Sequence, residues 1–143
     1  MDWNRTFREY VNMDPSLLYN IATNSADEIQ YTLEVYFGYS RSKRLTTQIF
    51  ASFASADNRT TQAEYDLFRR VTDTLFDEYY SYSEFCDIVN DSYDCDYVKT
   101  VMPIARQNDD LRDAIIRLGL AMCAIDDTIT AAEQNFVAWF DNN

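Results

Sequence analysis

Two glycines and two prolines in 143 residues leave this chain almost no turn chemistry. An all-β sandwich or barrel reverses direction roughly every eight to twelve residues, and those reversals draw on Gly and Pro. The chain must therefore be mostly helix. Apolar residues make up 47% of it and charged residues 25%, enough to bury a core and too apolar for disorder. The expectation is an all-α, single-domain bundle of about seven to eight helices over residues 1–143.

Charge narrows the partners. Twelve Lys plus Arg against 24 Asp plus Glu give a net charge of -12, which repels nucleic-acid phosphates and anionic lipid and attracts cations and basic protein surfaces. Histidine is absent, so Ser-His and Cys-His nucleophile pairs, imidazole metal ligands and the commonest general base are absent with it. Any chemistry falls to carboxylates. Cys86, Cys95 and Cys123 cannot all pair and show no CxxC spacing, which points to reduced packing residues. The opening Asp2, Trp3, Asn4 has no basic, apolar leader pattern and no run reaches spanning length, so the expectation is a cytoplasmic protein without membrane insertion.

Apolar residues recur at helical spacing along the chain. Trp3, Phe7, Tyr10 and Val11 mark a first helix, and Asp14 before Pro15 reads as the cap of a second. Ser25 with Glu28 has capping-box spacing, which predicts a third helix with Ile29, Leu33 and Phe37 inward, ending near Gly38. Arg41, Lys43 and Arg44 then form the one compact basic cluster, a solvated helix end or an anion dock. Leu45, Ile49 and Phe53 predict a helix to Ala56, and Leu67, Phe68, Val71 and Leu75 the next after a polar loop. Between Val71 and Val98 lie eight acidic residues and no basic one: Asp73, Asp77, Glu78, Glu84, Asp87, Asp91, Asp94 and Asp96. A helix through Tyr97, Val98, Val101 and Ile104 contains Pro103, which predicts a kink or a boundary, with the break placed near Met102. Leu111, Ile115, Leu118 and Met122 share one face of the most apolar segment, and a last helix runs through Phe136 and Phe140.

One pattern occurs twice. Asp57 and Asp126 are 69 residues apart, as are Glu64 and Glu133, Thr61 and Thr130, Ile49 and Leu118, and Phe53 and Met122. Each copy is an apolar helix, an Asp, a short loop, then Thr-x-x-Glu opening another helix. The repeats fall at about 45–76 and 114–143, and two units suggest pseudo-two-fold symmetry rather than a solenoid. Locally, Thr61 with Glu64 and Thr130 with Glu133 make capping boxes, each contributing roughly 1 kcal/mol. If symmetry joins the loops, four carboxylates can share a cation that neither loop alone would satisfy, since Ca²⁺ takes about six to eight oxygens and Mg²⁺ about six.

The segment Ala124, Ile125, Asp126, Asp127, Thr128, Ile129, Thr130, Ala131, Ala132, Glu133 resembles the signature of the TerB-like tellurite-resistance family, Ala-x-Asp-Gly-x-Ile-x-x-x-Glu in loose form. Ala54 through Glu64 is similar to the family's first copy, and the likeness runs from Leu45 to the C-terminus. The resemblance implies an all-helical, internally duplicated bundle of bacteria and their phages, whose acidic loops hold a divalent cation. It assigns Asp57, Glu64, Asp126 and Glu133 as metal ligands. Where the family has glycine this chain has Asn58 and Asp127, the residue types that best tolerate the left-handed backbone, and Asp127 brings a further oxygen. The branch carrying a J-domain is excluded, because its His-Pro-Asp tripeptide requires histidine.

The resulting expectation is a non-enzymatic acidic module in a stress or tellurite-resistance-type system, binding Ca²⁺ or Mg²⁺, docking a protein partner, or both. A homodimer is compatible with it. The alternative is an acidic protein that mimics nucleic acid and occupies a basic groove, motivated by the eight-carboxylate arm.

Overall fold

Asp14 accepts a hydrogen bond from the Ser16 amide (2.8 Å) and Pro15 takes the first helical position, as their spacing predicts. Asp2 caps the preceding helix by accepting from the Arg5 amide at 3.2 Å. The computed structural model describes residues 2–54, 60–91, 97–126 and 129–142, and these are all-helical with no strand. Eight helices follow in order: α1 (Trp3–Val11), α2 (Pro15–Phe37), α3 (Tyr39–Ala54), α4 (Gln62–Phe76), α5 (Tyr82–Asp91), α6 (Tyr97–Arg106), α7 (Asp109–Ala124) and α8 (Ala131–Asn142).

Three expectations about these elements need correction. No helix starts at Ser25, because α2 runs unbroken through it for 23 residues and Ser25 is buried with Ala22 and Ala26 on its inner face. Continuing an established helix costs far less than nucleating a new one. The third helix starts at Tyr39 rather than Leu45, immediately after Gly38, and so includes the basic cluster in its first turns. Helix α6 passes through Pro103 to Arg106. The proline and Lys99, whose carbonyl loses its partner, are both exposed, so water satisfies the freed group.

The core is built around α2 and α7, which pack along each other, with α3 laid against both. Ile29 and Leu33 from α2, Ile49 and Phe53 from α3, and Leu111, Ile115 and Leu118 from α7 are sealed from solvent. A buried polar pin fixes the α2–α3 hairpin: Gln30 donates to Ser42 Oγ (2.7 Å) and accepts from Thr46 Oγ1 (3.2 Å). At Gly119 the Phe53 ring of α3 lies directly against the backbone of α7. A Cβ there would lie 2.3 Å from Phe53 Cε1, so only glycine allows the Phe53 ring its place. Phe53 is the penultimate described residue of α3 and Gly119 lies five residues before the end of α7, so this contact ties together the C-terminal parts of the two helices.

Cys86 is a partly buried thiol and Cys123 is buried in the core, while Cys95 lies outside the described residues. Among the described residues no helix is long and apolar enough to cross a membrane.

Candidate functional site

Both Thr-x-x-Glu turns form capping boxes with the same two distances. The Thr61 amide donates to Glu64 Oε1 at 2.9 Å and the Glu64 amide to Thr61 Oγ1 at 3.2 Å. The Thr130 amide donates to Glu133 Oε1 at 2.9 Å and the Glu133 amide to Thr130 Oγ1 at 3.2 Å. Each glutamate thus satisfies an amide at the start of α4 or α8 that the helix itself leaves unpaired. These caps sit inside the protein: Glu64 is 2% exposed and Glu133 3%.

Thr61 does more than cap. Its hydroxyl accepts from Glu64 with a lone pair and donates its single proton to Asp126 Oδ1 at 2.7 Å, across 65 residues of sequence. This bond ties the turn after α7 to the start of α4. Spacing singles out Thr61 only as a cap. The signal for its second role is the leftover proton that every capping hydroxyl keeps, but its acceptor is set by tertiary structure.

The electrostatics follow from that closure. Burial disfavours the charged form of Glu64 most, the neighbouring Asp126 carboxylate adds to it, and Glu133 adds less. The backbone and hydroxyl hydrogen bonds from Thr61 pull the other way, and the outcome is a pKa pushed up to about 8. At pH 7 Glu64 therefore holds a proton. Of the five residues expected at a metal centre, Asp126 and Glu133 lie within electrostatic reach of Glu64, while Asp57 and Asp127 fall outside the described residues. Among the described residues no three Asp, Glu, Cys or His side chains are grouped so as to hold a metal ion. The described carboxylates alone therefore do not make a cage, and a cation would need oxygens from the two loops as well.

The acidic arm has a different character. Asp73, Asp77, Glu84, Asp87 and Asp91 are exposed, and Glu78 is drawn into an ion pair with Lys43. That lysine, together with a 2.6 Å hydrogen bond from the Tyr80 hydroxyl, holds the Glu78 carboxyl below its usual range. No family model, curated protein or solved structure matches this chain.

Proposed function

We propose that this chain is a non-enzymatic acidic module that takes a divalent cation, Ca²⁺ or Mg²⁺, at its two Thr-x-x-Glu loops, with Asp57 and Asp127 joining Glu64, Asp126 and Glu133. The observation that carries the reading is the Thr61–Asp126 hydrogen bond, which draws one loop's aspartate to the other loop's cap beside a buried glutamate. Carboxylates crowded out of water need a counter-charge. The proton on Glu64 fills that need in part, and a hard cation with loop carbonyls fills it better. The likeness of both loops to the TerB-like signature supports the same reading and a setting in bacterial or phage stress response of the tellurite-resistance type.

The test is calorimetric and NMR titration with calcium and with magnesium at pH 6 and pH 8. The expected result is saturable binding that shifts Glu64, Asp126 and Glu133 resonances, with protons released and tighter binding at the higher pH. No perturbation at millimolar ion leaves the two glutamates as caps alone and removes the proposal.

The exposed arm favours a second reading, in which the module occupies a basic groove as a nucleic-acid mimic. Asp73, Asp77, Asp87 and Asp91 have no basic partner among the described residues, so the field they set up is uncompensated. Such a mimic retains basic nucleic-acid-binding proteins at low salt and loses them as salt rises. Retention that ignores salt argues against it.

A further inference from the structure

Apart from Leu17 near the start of α2, the large apolar side chains exposed among the described residues are concentrated at two places. Tyr31 (74% exposed), Val35 (77%), Tyr36 (58%) and Tyr39 (50%) crowd the tip of the α2–α3 hairpin, and Tyr79 (68%) and Tyr82 (41%) stand on the arm that ends α4 and begins α5. Every residue from Glu34 to Arg41 is exposed except Phe37, so the tip projects beyond the core. Burial explains none of these side chains.

Charge divides the same two places by sign. Glu34 is the one carboxylate between Tyr31 and Arg44, a stretch that carries Arg41, Lys43 and Arg44, in a chain of net charge -12. Arg41 lies over the Phe37 ring at 4.8 Å and Lys43 over Tyr39 at 5.7 Å, which holds the cations against the aromatic surface. The arm carries exposed Asp73, Asp77, Glu84, Asp87 and Asp91 beside its tyrosines. Tip and arm are also neighbours, because Lys43 pairs with Glu78 and a cleft of about 390 Å³ has Lys43 and Arg44 on one wall and Glu78, Ile88 and Asp91 on the other.

Two adjacent patches, each aromatic and of opposite charge, are complementary to themselves under a two-fold rotation, which sets tip against arm twice over. We propose that this face pairs with a second copy of the chain, the basic tip of each protomer seated on the acidic arm of the other. Tyrosine and arginine are the residues that most often dominate such contacts, and tyrosine loses little conformational entropy on docking. An unlike acidic protein would meet the tip but be repelled by the arm beside it, whereas a second copy satisfies both. The proposal is independent of cation binding, since Thr61, Glu64 and Asp126 take no part in it.

The test measures mass by sedimentation or light scattering in EDTA, so that no cation contributes. The wild-type chain is expected to be a dimer at concentrations up to about 100 µM. R41E/R44E makes both patches acidic and D73R/D87R/D91R makes both basic, so each variant alone loses the dimer, its dissociation constant rising about tenfold or more. Mixed in equal amounts the two variants restore it, because acidic tip then meets basic arm and the reverse. Val35→Asp, at the centre of the tip, weakens pairing without altering any arginine. All these positions are exposed, and unchanged circular dichroism verifies the fold. A wild-type monomer throughout this range, a dimer indifferent to the charge swaps, or a mixture that stays monomeric overturns the proposal.

Discussion

Glu64 is a carboxylic acid that the fold keeps protonated. Unfolded, it releases its proton near pH 4.5, but folded it holds it to about 8. Below pH 4.5 both states carry the proton, and between 4.5 and 8 only the folded state does, so this residue's contribution to stability is lost as pH rises through that window. Glu64→Gln keeps an oxygen for the Thr61 amide and offers Asp126 an N–H without a charge. We expect the variant to flatten the decline in urea-unfolding free energy between pH 5 and pH 8.5, and to be the more stable protein at pH 8.5. An unchanged slope would assign the pH dependence to other carboxylates. Thr61→Val keeps the shape and removes the hydroxyl, losing the cap and the link to Asp126 together, at a cost of about 1–3 kcal/mol by the same measurement. The cap was legible in the sequence because its partners are three residues apart. The link was not, because Asp126 reaches Thr61 only through the packing of α3 against α7.

Helices reveal themselves in sequence to the extent that their signals are local. The stripe of α4 was legible because Leu67, Phe68 and Val71 face the core on one side, and α7 was legible because it is apolar almost all round, every residue from Leu118 to Ala124 being buried. Ser25 misled because a capping-box pattern means nothing once the serine lies on a buried face, and Pro103 misled because an exposed proline leaves its orphan carbonyl to water. The two glycines act at this scale in opposite ways. Gly38 has φ +78° and ψ 174°, a region all but closed to other residues, yet a Cβ there meets nothing within 4 Å. Gly38→Ala should cost about 1–3 kcal/mol through backbone strain alone. Gly119 sits in an ordinary helix, and Gly119→Ala drives a methyl into the Phe53 ring, an overpacking cost of about 1–3 kcal/mol. Thermal unfolding of Gly119→Ala with Phe53→Leu separates the two cases, since shortening the ring should recover part of the loss at Gly119 and none at Gly38.

At the scale of the molecule, fold class followed from what the chain lacks. With so little Gly and Pro there was one economical answer, and the eight helices among the described residues agree with it. Net charge acts at this scale as well. Among the described residues few acidic groups have basic partners, and the net charge is -12, so self-repulsion outweighs attraction and screening it should raise the melting temperature as NaCl goes from about 10 mM to 150 mM. A fall would mean that the few ion pairs matter more than the excess of like charge.

The bond between Thr61 and Asp126 closes a ring of 65 residues. On a ribosome adding about 5–20 residues per second, that span takes roughly 3–13 s to make. For that interval the nascent α4 has neither the α7 surface that packs against it nor the aspartate that later crowds its glutamate, and Glu64 loses its proton as an ordinary surface acid would. Completion of the distant turn then recharges the group with a proton, so the last stage of folding is also an uptake of acid from the medium.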